Sequence, residues 1–170
     1  IKLIREKSWT NDDYHDFVDN MNVLQTISES DSNEDKITIL SDPNYYNAVN
    51  DTLNKLDTMN AICIIRILGH NNEHSAIDSI KDPKQRETIK NQIILMCRLA
   101  DKYTETFIKL ITSIEQFIKN LASEESSCDL DPSYLRSIYM IKKRIASILY
   151  MRQFAKKNSL SKEPVPSIKT

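Results

Sequence analysis

Residues 70–74 read His-Asn-Asn-Glu-His, the stretch whose residue types and spacing come closest to a known reaction centre. In the inverted zinc peptidases the order H-x-x-E-H places two zinc-binding imidazoles on one helix face, with the glutamate beside them as general base. Here the pattern begins one residue after Gly69, the only glycine of the chain, which is typical of the residue that ends a helix. An asparagine after His70 would then cap the next helix. His70 and His74 would not share a helix face, so we interpret His70, Glu73 and His74 as a polar turn and predict no metal site.

The other residues of catalytic type lack the partners that a reaction needs. His15 stands between Tyr14 and Asp16, and no serine or cysteine is placed to use it as a base. Cys128 has acidic neighbours, which disfavour the reactive thiolate form. A chain with one glycine also has no glycine-rich loop to bind phosphate. We therefore predict a protein that is not an enzyme and that has no cofactor.

The three cysteines indicate a reducing environment. None of them forms a C-x-x-C pair, and Cys63 and Cys97 stand in apolar helical runs, where a free thiol acts as a small buried hydrophobe. We therefore expect an intracellular protein, cytoplasmic or nuclear. No apolar run approaches the roughly 20 residues of a membrane-spanning helix, and no signal peptide is visible. The first residue, Ile1, and the polar C-terminal stretch favour a module cut from a larger protein.

Composition and helix-start signals together predict an all-α fold. Sheet proteins and doubly wound enzymes need glycine at their tight turns, and this chain of 170 residues has one. Asp-Pro pairs at 42–43, 82–83 and 131–132 mark helix starts, because proline suits the first helical position. Thr10 with Asp13 predicts a capping box at the start of the first helix. We predict a bundle of four or five main helices.

The longest predicted helix covers about 40 residues, roughly 83–123. Its apolar residues alternate spacings of four and three, as in a helix packed against two neighbours in a bundle. These residues are Ile89, Ile93, Met96, Ala100, Tyr103, Phe107, Leu110, Ile114, Phe117 and Leu121. The acidic, serine-rich stretch 28–35 is predicted to be a loop, and residues 73–80 a short helix. We place residues 1–157 in a single domain and residues 158–170 in a flexible tail or linker.

The charge is close to zero overall but polarised along the chain. Residues 1–80 hold 6 Lys/Arg and 14 Asp/Glu, a net of −8, whereas residues 81–170 hold 17 and 10, a net of +7. The last helix is basic, and the first helix carries acidic residues opposite its apolar stripe. The candidate partner-binding residues are therefore Arg136, Lys142, Lys143, Arg144, Arg152, Lys156, Lys157, Asp12, Asp16 and Asp19.

Several interpretations of these charges stay open. The basic helix could pair internally with the acidic first helix, at little gain in stability per pair. It could instead dock an acidic or helical segment of a protein partner, or bind nucleic acid through its clustered cations. Against nucleic acid, the chain is not basic overall, and we expect this helix to lack exposed aromatic side chains for stacking on bases. Against a membrane surface or calmodulin, we expect its apolar residues to be taken up by the core.

Residues 53–107, from LNKLDTMNAICIIRILGH to DKYTETF, resemble the TFIIS N-terminal class of small transcription-factor bundles. An L-x-x-L helix, an apolar helix ending in a turn, a short helix and a longer one follow in that order. The tryptophan usual near the end of that module is absent. The resemblance covers a third of the chain and implies a scaffold-type bundle. The Asn, Ile, Asp and Ser usage is typical of an AT-rich genome, and a viral origin would imply a host-mimicking bundle similar to the viral Bcl-2-like bundles.

From these features we expect a non-catalytic helical interaction module for docking, scaffolding or oligomerisation. An apolar segment of a protein partner would enter a groove between helices, and the acidic and basic poles would set its orientation and rate of binding. One alternative is a nucleic-acid-binding domain that uses the basic last helix. Another is a homo-oligomer formed through the long heptad seam.

Overall fold

The computed structural model describes residues 10–68, 79–123 and 132–162, and these ranges contain five α-helices and no strand. The helices are α1 (Asn11–Glu29), α2 (Asn33–Ser41), α3 (Pro43–Leu68), α4 (Pro83–Ser123) and α5 (Pro132–Lys162). The longest of them, α4, has 41 residues. The predicted all-α class, the number of main helices and the one long helix are thus confirmed.

Acidic residues and prolines set the helix starts, as the sequence predicts. At the start of α1 the Asp13 carboxylate accepts hydrogen bonds from the Thr10 backbone N–H, at 2.7 Å, and hydroxyl, at 3.2 Å. Asp42 and Asp82 each accept one from the N–H two residues further on, at 3.0 and 3.1 Å. The proline between donor and acceptor has no N–H to leave unpaired, and its fixed φ suits a first helical turn. For this reason α3 and α4 begin at prolines.

The predicted loop over residues 28–35 is wrong in extent, because helices occupy all of it except residues 30–32. The Ser32 hydroxyl accepts a hydrogen bond from the Asp35 backbone N–H at 3.4 Å, which caps α2. The same helix buries Leu40. A cap and a buried side chain thus outweigh the acidic, polar composition that favours a loop.

The other predicted boundaries have different outcomes. α5 continues to Lys162, which is five residues into the stretch assigned to the tail. Residues 73–78 of the predicted short helix lie outside the described ranges, and residues 79–80 are not helical. The assignment of residues 1–157 to a single domain stays a prediction.

The described residues fall into two compact units, and each unit draws on distant parts of the chain. The first unit comprises residues 10–55 and 105–146, so it contains α1, α2, the first half of α3, the second half of α4 and the first half of α5. The described part of the second unit comprises residues 56–68, 79–104 and 147–162.

In the first unit the predicted apolar stripes form the core. The buried side chains of α1 are Tyr14, Phe17, Met21, Leu24 and Ile27, which recur at helical spacing. Burial of each such side chain stabilises the fold by about 1.5–3 kcal/mol relative to exposure. The Tyr45 hydroxyl donates a hydrogen bond to the Leu24 carbonyl at 2.8 Å, which fixes α3 against α1.

In the second unit two details of the predicted core differ. The run 61–68 is apolar nearly all round, which predicts a central place in the core; Ile62 and Cys63 are buried, but Ile65 is exposed. A helix that packs on one side only leaves part of its circumference in solvent, whatever its composition. On α4 the residue Tyr103 is half-buried, and the adjacent Thr104 is buried in its place. The heptad seam therefore passes through a polar side chain.

Candidate docking cleft

The first unit contains an open cleft of about 630 Å³ between the N-terminal halves of α3 and α5. The α3 wall consists of Tyr46, Asn50 and Leu53, which are spaced by four and three residues and so share one helix face. The α5 wall consists of Arg136, Ser137, Met140, Ile141, Lys143 and Arg144. Each wall extends over about two helical turns, which gives the cleft the length of a short helical or extended peptide segment.

The α5 wall combines positive charge with an exposed apolar side chain. Four side chains of this wall point to the same side of α5, because Met140, Lys143 and Arg144 stand four, seven and eight residues after Arg136. The three cations are exposed, and Met140 lies between them with 58% of its surface in solvent. A methionine is flexible and polarisable, and such side chains are common at surfaces that adapt to a bound segment.

One aromatic contact joins α3 and α5 near one end of the cleft. The rings of Tyr46 and Tyr134 lie 5.5 Å apart between centroids, tilted by 56°, in the range favoured for aromatic pairs. Burial, followed by the nearby Tyr46, raises the pKa of Tyr134 to about 12, so this phenol is neutral at physiological pH. Within α5, the Lys143 ammonium lies 5.5 Å from the centroid of the exposed Tyr139 ring, a cation–π contact.

Lys142 has a different environment from its neighbours, because it pairs with a buried carboxylate of α4. Its ammonium lies 3.1 Å from Glu115 Oε1, and the Lys119 ammonium lies 3.4 Å from the same atom. The Glu115 side chain is only 6% exposed. Burial alone would raise its pKa, but the hydrogen bond and charge of Lys142 and the charge of Lys119 outweigh burial and lower the pKa below its ordinary value.

The Glu115 cluster makes a pH-dependent contribution to stability. A carboxyl whose pKa is lower in the folded than in the unfolded state stabilises the fold above its unfolded pKa of about 4.3. That contribution is lost as the pH falls through the lower pKa of the folded state. We expect a Glu115→Gln variant to have a smaller free energy of unfolding than the unchanged protein above about pH 5, and the difference to shrink with acidification. Urea titrations at several pH values would measure it, and a difference independent of pH would contradict this assignment.

Arg152 is also held inside the fold, in the second unit. Its side chain is 8% exposed and forms an ion pair with Asp101, and its Nη1 donates a hydrogen bond to the Ala100 carbonyl at 3.1 Å. The partners of Arg152 and Lys142 both lie on α4, whereas the internal pairing considered from the sequence was with the acidic α1. Among the predicted basic residues, the exposed ones are Arg136, Lys143, Arg144, Lys156 and Lys157.

The expectation that the last helix lacks exposed aromatics is wrong. In the second unit Tyr150 and Phe154 are 65% and 49% exposed, and Met151 is exposed beside them. Lys156 and Lys157, two and three residues after Phe154, are exposed as well. The apolar residues of this half of α5 are therefore not all taken up by the core, and this part of the argument against nucleic acid or a membrane surface no longer holds.

The predicted acidic residues lie on the first unit. Asp12, Asp16 and Asp19 are all exposed on α1, opposite its buried stripe. The H-x-x-E-H residues His70, Glu73 and His74 lie outside the described residues, as does Cys128, so the interpretation of that turn stays a prediction. In the ranges 10–68, 79–123 and 132–162, no three His, Cys, Asp or Glu side chains are grouped as metal ligands. No helix within those ranges is long and apolar enough to cross a membrane.

Sequence reasoning missed the α3 wall of the cleft and the buried charges. A signal for the buried arginine was present, since Arg152 follows Ile145 by seven residues and Ile148 by four and so continues the apolar seam of α5. Met140 lies beside the buried Ile141, off that seam, and its exposure follows from this position. No family model, curated protein or solved structure matches the chain.

Proposed function

We propose that the first unit is a protein-docking module whose α3/α5 cleft binds an acidic segment that carries one apolar side chain. The observation that carries this proposal is the arrangement of Arg136, Lys143 and Arg144 around the exposed Met140 in an open cleft. Carboxylates of a bound segment would lie against the cations, and its apolar side chain would cover Met140. Such a surface has an exposed apolar centre and a charged rim, the usual anatomy of a peptide-binding interface.

Charge supports an acidic partner over other ligands of this cleft. Complementary charges accelerate encounter and select against like-charged partners, even where each exposed pair contributes little to affinity. Arginine also binds carboxylates in a bidentate geometry that fixes the direction of a bound segment. The expectations of a scaffold role, of an intracellular location and of host mimicry stay predictions, as does the parent protein.

The chain offers a matched pair of variants for testing the cleft. Lys143→Glu with Arg144→Glu reverses two adjacent cations in the cleft, and Lys156→Glu with Lys157→Glu makes the same change elsewhere on α5. We expect the first variant to bind acidic peptides with one central Leu or Phe at least about tenfold more weakly than the unchanged protein, a loss of roughly 1.4 kcal/mol. The second variant should bind them nearly as well. Fluorescence anisotropy with labelled peptides measures both, after circular dichroism has established that the variants fold.

Equal losses in the two variants, or no binding of acidic peptides at all, would contradict docking at the cleft. A partner recovered from nuclease-treated extract would then be tested with the same two variants, because recovery alone does not locate the binding site.

A second candidate function is the binding of single-stranded nucleic acid. It is favoured by the exposed aromatic and basic side chains in the C-terminal half of α5, which belongs to the second unit. Tyr150 and Phe154 are four residues apart on one helix face, and the exposed Lys157 shares that face at seven and three residues after them. Lys156 is exposed as well. Aromatic side chains that stack on bases, with cations near the phosphates, are the elements of sequence-independent binding to single strands. The matched variants discriminate the two functions. Oligonucleotide binding that falls steeply with salt and is lost in the Lys156→Glu, Lys157→Glu variant alone would favour nucleic acid.

A further inference from the structure

The acidic face of α1 has a pattern that helix capping does not explain. Asp12, Asp16 and Asp19 are exposed at spacings of four and three residues, and Val23, which is 53% exposed, follows four residues later on the same face. Asp12 lies in the first turn, where a carboxylate interacts favourably with the helix dipole. Asp16 and Asp19 lie beyond that turn, where the dipole effect has fallen off. An exposed stripe of acids that ends in an exposed valine has the composition that the cleft would bind.

The spacing of these acids matches that of the cations in the cleft. Asp12 and Asp19 are seven residues apart, as are Arg136 and Lys143, and seven residues of helix span about 10.5 Å. A helix lying along the cleft could therefore place both carboxylates against both cations at once. The net charge of −1 leaves little long-range repulsion between two copies of the chain, so the opposite local charges of α1 and the cleft decide how copies meet.

We propose that the occupant of the cleft includes a second copy of this chain, whose α1 presents Asp12, Asp16 and Asp19 to Arg136, Lys143 and Arg144. This inference rests on the cleft described under the proposed function and names one partner for it. The buried stripe of α1 stays buried in its own unit, so docking requires no unfolding. With Asp12 and Asp19 against Arg136 and Lys143, Val23 lies beyond the charged pairs, so the charges carry the contact. The acidic face and the cleft are different surfaces, so the contact is heterologous, and it either closes through a reciprocal pair or a ring or extends into chains.

Self-association by this contact has a distinct response to salt. Exposed charge pairs are screened as the Debye length falls from about 14 Å near 50 mM salt to about 4 Å near 500 mM. We expect the mass measured by sedimentation equilibrium to exceed the 19.7 kDa of one chain at low salt and high protein concentration. The mass should fall toward that of one chain at high salt. A constant mass of one chain at low salt and high concentration would overturn the inference.

Charge exchange tests whether α1 and the cleft are the two surfaces. An acidic-face variant carries Asp16→Lys and Asp19→Lys, and the cleft variant carries Lys143→Glu and Arg144→Glu. Each variant alone places like charges at the contact and should remain a single chain. An equimolar mixture should associate again, because the unchanged acidic face of one variant meets the unchanged cleft of the other. The Lys156→Glu, Lys157→Glu variant is the control and should associate as the unchanged protein does.

The outcomes separate this inference from the proposed function. If either variant still associates alone, or the mixture stays monomeric, α1 is not the occupant. If the chain is monomeric but acidic peptides bind at the cleft, the self-association is wrong and the docking function stands. If the chain associates as described but foreign acidic peptides do not bind, the second copy is the partner and the foreign segment is not. If neither is observed, both proposals fail.

Discussion

An Asp101→Asn variant is expected to lose about 2–4 kcal/mol of its free energy of unfolding, because it leaves a buried guanidinium without its counter-ion. The Asp101 side chain is 60% exposed, and substitutions at such positions usually change stability by less than about 0.5 kcal/mol. Its partner Arg152 is 8% exposed, and its Nε has no hydrogen-bond partner among the described residues. The exposed Asp101 carboxylate therefore neutralises the buried Arg152 guanidinium.

Removal of the arginine should cost less than removal of the aspartate. In an Arg152→Met variant the apolar stem is largely retained, Asp101 is hydrated, and the Ala100 carbonyl keeps the Thr104 hydroxyl as a donor at 2.6 Å. We expect a loss of about 1 kcal/mol, and the double variant should recover most of what Asp101→Asn loses. Chemical denaturation of the two single variants and the double variant measures this cycle, with Glu87→Gln, an exposed acid of α4, as control. If Arg152→Met were the more damaging change, packing of the side chain would outweigh its charge.

The sequence was sufficient for the helix starts and for most of the core. Asp-Pro pairs act locally, through one carboxylate and one missing N–H, so the helix start that they mark can be predicted without knowledge of the rest of the fold. The apolar stripes can be predicted for the same reason, since helical periodicity alone indicates which side of a helix is buried. The helix α2 was missed because its two helical signals, the cap and the buried leucine, stand among many charged and polar residues.

The candidate site depends on pairings that no local pattern contains. Arg152 continues the seam of α5, and Glu115 stands four residues after the buried Ile111 and three before the buried Ile118, so the sequence indicates that both face inward. Their partners, Asp101 and Lys142, lie 51 and 27 residues away. Only the packing of the helices decides that Lys142 is used internally and that Lys143 and Arg144 are not part of that pair. The same holds for the α3 wall, whose residues have no distinguishing chemistry until α5 lies opposite them.

Two buried threonines should respond in opposite ways to the same substitution. Thr104 is 1% exposed; its hydroxyl donates to the Ala100 carbonyl and accepts from Asn60 Nδ2 at 3.1 Å. Thr52 is fully buried, and its hydroxyl has no hydrogen-bond partner among the described residues. Valine has nearly the shape of threonine without the hydroxyl, so Thr→Val at both positions compares a satisfied with an unsatisfied polar group.

We expect Thr104→Val to lower the free energy of unfolding by about 1–3 kcal/mol, because it removes the acceptor of a buried amide. Asn60 is fully buried and would keep only its bond to the Leu56 carbonyl at 2.7 Å. Thr52→Val should instead leave the free energy of unfolding unchanged or raise it by up to about 1 kcal/mol. A buried hydroxyl without a partner has lost its hydrogen bonds to water, and no bond within the protein replaces them. Urea denaturation of both variants decides the matter. A clear loss at Thr52 would mean that its hydroxyl is bound by an ordered water, and equal losses at both positions would mean that the Asn60–Thr104 hydrogen bond contributes nothing of its own.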